Sequence, residues 1–307
     1  MILAIVGATA TGKSALALAV ARAVWEGGLP AYRGAEIVNA DAMALYRGMD
    51  IGTAKVSNAE REEIAHHQID VLDPADEASV AAYQREARAD VAAIEGRGHL
   101  PIVVGGSGLY VRALLDEIDF PPTDPQVRAR LTADVDRLGA PALHERLAGL
   151  DPHAAHNIAP TNARRVVRAL EVIELTGRPF SATMPRRRYV RRALQVGCTQ
   201  VAEELEERIR ARTRSMWEAG LVDETMRVRA GGWGKTAAKA IGYAQAAAYA
   251  DGKIGEEEAI EEITRRTLRL VRKQRLWFRS DPRVHWLAPE ATAHDVLALV
   301  ASAASGI

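Results

Sequence analysis

One cysteine stands in the 307 residues, Cys198, so an intramolecular disulfide and a cysteine-built metal cluster are both excluded. It lies in 193–199, an apolar stretch that reads as a buried strand, and an inert core thiol is expected. Net charge is lacking too. Forty basic residues balance 40 acidic ones, which argues against a chain that is basic throughout and leaves local patches open. No apolar run is long enough to span a bilayer. The first apolar run has no basic segment ahead of it and ends in a glycine loop. It reads as a core strand rather than a signal peptide, and the expected compartment is the cytosol. Internal repeats are not found. Hydrophobic content of 48% and charged content of 26% are those of a soluble globular protein, long enough for one large domain or two ordinary ones.

What the chain does have begins at its first residues. Ile2–Val6 is short, apolar and bounded by glycine, as a buried parallel strand should be. Gly7-Ala8-Thr9-Ala10-Thr11-Gly12-Lys13-Ser14 then fits the pattern G-x-x-x-x-G-K-[ST] at every fixed position. The stretch 15–24 consists mostly of helix formers. Strand, loop and helix N-terminus together aim backbone N–H groups and the helix dipole at one anion. Lys13 adds a cation, and the Ser14 hydroxyl can bind Mg²⁺. The loop says phosphate or diphosphate; it does not name the molecule or the reaction.

A second strand, 36–41, ends in Asp41. Ligands of a parallel α/β sheet sit at the C-terminal strand ends, so Asp41 should face the crevice of the phosphate loop, the alternative being a helix N-cap. The stretch 41–55 lacks a period and reads as a structured loop beside the site. His66 and His67 have no partner at metal-ligand spacing and read as a turn into a strand at 69–72. A helix is expected from 79 to 95. The strand 100–104 ends in Gly105-Gly106-Ser107, where an ordinary ATPase would carry a Mg²⁺-holding carboxylate. That departure leaves a backbone-lined opening with one hydroxyl. Prolines from 121 to 125 mark a boundary, after which helices are expected at 126–138, 141–149 and 161–176. Residues 161–192 hold nine arginines against two acids, among them Arg164, Arg165, Arg168 and the run Arg186-Arg187-Arg188. This is either a surface for a polyanion or a solvated helix face. A long charged helix follows from 201 to 219, with Arg208 and Arg212 on one face. The last long helix, from 256 to about 276, is basic and runs into Trp277 and Phe278, which suits RNA or a core. A terminal helix is expected from 291.

Several motifs in order, GATATGKS, NADAMALYRGMDIGTAK, HHQIDVLDP, PIVVGGSGLY, TNARRVVRALEVIELTG, AGLVDE, AIGY and RKQRLWFR, resemble the tRNA dimethylallyltransferases from residue 1 to about 287. The resemblance implies an α/β fold, a P-loop NTPase-like parallel sheet core with a helical insertion domain. Residues 1–118 would be the first part of the catalytic core, 119–190 the tRNA-binding insertion, and 191–307 the second part with basic C-terminal helices. It implies transfer of a dimethylallyl group from dimethylallyl diphosphate to N6 of the adenosine just 3′ of the tRNA anticodon, by a monomer needing Mg²⁺ and no membrane. Asp41 then matches the general base, and Gly7 through Ser14 the diphosphate loop, with Lys13 and Ser14 in catalysis. Either Arg208 or Arg212 matches a diphosphate-binding arginine. The tRNA-contacting positions are Asp41, Ala42, Met43, Ala44, Ser107, Arg128, Arg164, Arg165 and Arg168.

The chain also departs from the family. Ala8 stands for the usual Pro, and Ala42 and Ala44 replace the Ser and Gln whose side chains help hold the adenine. Asn162-Ala163 replaces Asn-Asp, and Leu270 and Leu276 replace Tyr and Thr. Three other readings share some of these motifs. They are a prenyltransferase acting on free AMP or ATP, a nucleotide or small-molecule kinase, and a tRNA-binding relative without catalysis. The arginine-rich insert, the missing carboxylate after Val104, and the retained Lys13, Ser14 and Asp41 weigh against them in turn.

Overall fold

The computed structural model describes residues 1–183 and 187–305, so Arg186 lies outside the described residues. The chain divides into two units, Asp116–Arg188 and the remainder. Up to Leu115 the order is β1 (Ile2–Val6), α1 (Lys13–Trp25), β2 (Ala35–Asn39), α2 (Asn58–Glu63), β3 (His66–His67), α3 (Val80–Gly96), β4 (Leu100–Gly105) and α4 (Gly108–Leu115). The intervening unit holds α5 (Pro125–Leu138), α6 (Ala140–Leu150), α7 (Pro152–Asn157) and α8 (Ala163–Thr176). The first unit then resumes with β5 (Ala193–Gly197), α9 (Ala202–Glu218), α10 (Leu221–Ala230), α11 (Tyr243–Ala250), α12 (Glu256–Arg279), β6 (Val284–Trp286) and α13 (Ala293–Ser305).

All five residues of β1 are buried because it lies inside the sheet with covered faces on both sides. The sheet is parallel, in the order β3-β2-β4-β1-β5-β6. Leu3 stands beside Ile102 on one neighbour and Leu194 on the other. The pleat sends Leu3 and Ile5 toward Val20 and Val24 of α1 and Val296 and Val300 of α13. Ile2, Ala4 and Val6 face Tyr83 and Val91 of α3, Leu114 of α4 and Phe278 of α12. Both layers end at the C-terminal edge of the strands, where the Gly7–Ser14 loop emerges. The intervening unit has its own core, including Leu131, Leu147, Val166 and Leu170. At its entrance Asp124 caps α5, its side chain accepting from the N–H groups of Gln126 and Val127.

Three local expectations change. The strand expected at 69–72 is instead His66–His67, which pairs with Ile37 and Val38, while Leu72 makes only an isolated bridge to Tyr46. Periodicity misplaced it because a polar side-chain bond fixes this edge: His67 Nε2 lies 2.7 Å from Glu36 Oε2. Cys198 falls just past β5 rather than within it, is buried, and burial pushes its thiol up to about 11, as an inert thiol requires. Phe278 is in the core, whereas Trp277 is 38% exposed. The helices α2, α4, α7, α10 and α11 and the strand β6 had no counterpart in the sequence reading.

Glu36 is the main buried charge at that sheet edge. Arg97 donates to both its oxygens at 2.8 Å, and His99 Nδ1 lies 2.7 Å away. Burial alone would raise its pKa, but Arg97, His67 and His99 outweigh burial and lower it to about 2 from an ordinary 4.5. The stabilisation is therefore full above about 4.5 and is lost as the pH falls toward 2. Glu36→Gln is expected to cost about 2 kcal/mol at neutral pH. The gap to the parent protein in thermal melts should close as the pH falls through that window; a gap constant across it would contradict the assignment.

Candidate active site

The loop after β1 turns sharply because its glycines permit it. Gly12 has φ 84° and precedes the first turn of α1 with no side-chain cap, leaving the first N–H groups of the helix open to a ligand. At Gly7 a Cβ would come within 2.9 Å of Thr11 Oγ1 and 3.1 Å of the Cys198 carbonyl oxygen. Thr11 ties the loop to itself by donating to the Ala8 carbonyl at 2.9 Å. Ala8 is buried, 3% exposed. Lys13 Nζ reaches the same carbonyl at 3.3 Å. Burial lowers the Lys13 pKa, Asp41 opposes that shift, and the positive charge of Arg212 adds to it.

Asp41 is not a helix N-cap, since no helix follows it. Its Oδ1 accepts from the Met43 N–H at 2.9 Å, closing a small side-chain turn that aims the carboxylate. Asn39 holds the backbone behind it. Its Oδ1 accepts from the Asp41 N–H at 2.9 Å, and its Nδ2 donates to the Asp41 and Gln68 carbonyls. Ser107 does not line the cavity. Its Oγ accepts from the Ala42 N–H at 3.2 Å, so it buttresses the Asp41 turn.

These parts open into one cavity of about 760 Å³. Thr9, Ala10, Gly12, Lys13 and Ser14 line it from the loop, and Asp41, Met43 and Ala44 from the segment after β2. Both Arg208 and Arg212 reach it from α9. They differ in setting: Arg208 is exposed and Arg212 half-buried. Burial lowers the Arg212 pKa and Asp41 opposes it, so Arg212, Asp41 and Lys13 share one electrostatic field. The opposite wall is largely apolar, with Met216, Leu221, Ile241, Ile263 and Leu270. A cationic end, a carboxylate and an oily wall suit a molecule with an anionic head and a hydrocarbon tail.

Sequence reasoning missed that wall, because most of its residues sit on helices whose polar faces dominate the pattern, and Ile241 lies in the turn before α11. It also missed Gln274. This buried side chain of α12 accepts from the Thr9 N–H at 2.9 Å and donates to the Gly106 carbonyl at 3.0 Å. It thereby ties the phosphate loop to the glycine turn after β4. An uncharged polar residue on the apolar face of a basic helix was the available signal. Trp277 packs against Gly108, where a Cβ would meet its Nε1 at 2.1 Å.

The remaining predicted residues belong to the Asp116–Arg188 unit. Arg128 and Arg168 both bond to Glu171, a carboxylate with no exposed side-chain surface, at 2.7 and 2.8 Å. Arg168 also donates to the carbonyls of Pro121 and Pro122. Arg164 and Arg165, in the first turn of α8, are exposed and make no ion pair among the described residues.

A family model described as "IPP transferase" matches residues 44–281. The tRNA dimethylallyltransferase of Thermobifida fusca is 54% identical over 94% of this chain and 90% of its own length. That of Kineococcus radiotolerans is 53% identical over 95% and 92%. The chain belongs to the IPP transferase family. Among solved structures, the full-length tRNA isopentenylpyrophosphate transferase of Bacillus halodurans is 34% identical with a TM-score of 0.72, over 99% of this chain and 97% of that one. A eukaryotic dimethylallyltransferase solved acting on tRNA shares the fold at 22% identity, with a TM-score of 0.83. In this IPP transferase the glycine loop, Asp41, Arg212, Met43 and Ala44 line one and the same cavity.

Gln274→Leu removes both tethers at nearly constant volume and leaves the Thr9 N–H without its partner. The substitution is expected to cost about 1–3 kcal/mol and to weaken binding of inorganic diphosphate by about tenfold. Calorimetric titration checks this, and parental affinity in the variant would remove Gln274 from the site.

Proposed function

We propose that this protein transfers a dimethylallyl group from dimethylallyl diphosphate to N6 of the adenosine just 3′ of a tRNA anticodon, releasing diphosphate in the cytosol. The observation that carries the proposal is the convergence of Lys13, Ser14, Arg212 and Asp41 on one half-apolar cavity. Membership of the IPP transferase family supports the same reading.

The diphosphate lies on the open N–H groups at the start of α1, between Lys13 and Arg212, and the hydrocarbon lies along Met216, Leu221 and Ile263. As the bond between C1 and the bridging oxygen lengthens, negative charge grows on the diphosphate and positive charge on the allylic carbon. Lys13 and Arg212 stabilise the first. Ser14 lines the cavity, and no cluster of three or more His, Cys, Asp or Glu suited to a metal exists among the described residues. One hydroxyl beside diphosphate oxygens fits Mg²⁺, which keeps water and substrate phosphates as ligands. When bound, Mg²⁺ supplies further charge neutralisation on the leaving group. The exocyclic amine attacks C1, and the Asp41 carboxylate accepts its proton. An adenine must leave its stack to reach this cavity. Here it meets Met43 and Ala44, and Ala42 and Ala44 stand where the family pattern has Ser and Gln, so contact with apolar walls takes a larger share of holding the base. Arg164 and Arg165 supply cations for the RNA backbone, Arg128 and Arg168 are held in place by Glu171, and Ser107 acts through Ala42.

Asp41→Ala is expected to lower transfer to an anticodon stem-loop RNA by about 10²–10⁴-fold while RNA affinity stays within about twofold. Unchanged turnover would remove Asp41 from the mechanism. The same assay with AMP should give no product; prenylated AMP without prenylated RNA would overturn tRNA as the acceptor.

A further inference from the structure

Behind the cavity wall lies a carboxylate that the reaction does not touch. Glu224, in the first turns of α10, is 3% exposed. Its Oε2 accepts from the N–H groups of Asp50 and Ile51 at 3.1 and 2.9 Å. Its Oε1 accepts from Ile51 and Gly52 at 3.0 and 3.2 Å, and from the Tyr243 hydroxyl at 2.5 Å. Three successive backbone N–H groups thus converge on one buried side chain, with a fully buried tyrosine closing the set. Burial and then Glu224 both raise the Tyr243 pKa, so its hydroxyl stays a donor.

The segment so held is part of the wall. Gly52, Thr53, Ala54, Lys55 and Val56 line the cavity directly after the anchored N–H groups. Gly52 is pressed against the anchor: a Cβ there would come within 2.4 Å of the Tyr243 ring and 2.9 Å of Leu221. The Lys55 side chain, 1% exposed, turns back to the Tyr46 carbonyl at 2.6 Å and to Asp50 and Asp70. The wall therefore has no freedom to shift without breaking a buried carboxylate from its donors.

We infer that Glu224, with Tyr243, is a positioning residue that keeps this wall closed, so that the adenine amine rather than water captures the allylic carbon. The inference rests on the proposed prenyl transfer. An allylic carbon losing diphosphate reacts with any nucleophile within reach. With water, the C1–oxygen bond to diphosphate breaks, a C1–OH bond forms, and one proton is released, giving dimethylallyl alcohol and diphosphate. Holding this wall closed suppresses that branch by excluding water. A glutamine at 224 keeps the size but turns an NH₂ toward N–H donors, so part of the anchor is lost.

The test is a product ratio, dimethylallyl alcohol over prenylated RNA, for the full chain with dimethylallyl diphosphate, Mg²⁺ and stem-loop RNA. A loss of folded enzyme lowers both products together and leaves the ratio unmoved. Glu224→Gln is expected to raise the ratio about tenfold and Tyr243→Phe about twofold. If Glu224→Gln yields no folded protein by circular dichroism, Tyr243→Phe decides alone. Ratios equal to the parent's in the folded variants overturn the inference. Absence of prenylated RNA from the parent enzyme overturns the proposed function instead, so the two failures are distinguishable.

Discussion

Everything in the larger unit depends on holding three charges in one half-buried space. Lys13 and Arg212 are positive, Asp41 is negative, and each perturbs another's field. Taking charges out of water is costly unless they are paired. Burial lowers the pKa of both cations, and a bound diphosphate would offset the cost of that burial. The carboxylate tempers the repulsion between the cations and remains available for a proton. One arrangement serves binding and chemistry together.

The scaffold supplies that arrangement by bonding from behind rather than by contacts inside the cavity. Asn39 fixes the backbone of Asp41, Ser107 steadies the next residue, and Gln274 ties the phosphate loop to the glycine turn after β4. These side chains come from β2, the segment after β4 and α12, so the site is assembled only when the sheet and the last long helix are both in place. In the other unit Glu171 does comparable work, holding Arg128 and Arg168 while α8 leaves Arg164 and Arg165 in solvent. Specific polar bonds, each about 1 kcal/mol net, give accuracy here more than bulk stability.

Much of this could be read from the residues. The aliphatic run of β1, the glycine loop and the helix formers of α1 announce themselves because each is local and strongly patterned. Asp41 follows from one rule about strand ends, and the shared face of Arg208 and Arg212 from helical spacing. What stayed hidden was set by distant partners. The pairing of His66–His67 depends on Glu36, which periodicity does not register. The apolar wall is scattered over α9, α10, α12 and the turn at Ile241, and the charged outer faces of the helices mask it. Gln274 sits 265 residues from the Thr9 it supports, and no local pattern links them. Choosing Arg212 over Arg208 as the buried cation required the packing of α9 against the cavity.

The central claim is that a loop shaped for phosphate here holds a leaving group whose bond breaks at carbon. The measurement that tests it most directly uses dimethylallyl diphosphate labelled with heavy oxygen at the bridge between C1 and phosphorus. The enzyme turns it over with stem-loop RNA, and mass spectrometry follows the label. The account predicts that all of the label leaves with diphosphate and none stays on the dimethylallyl product. Label retained on the dimethylallyl fragment would mean cleavage at phosphorus, and would contradict the account.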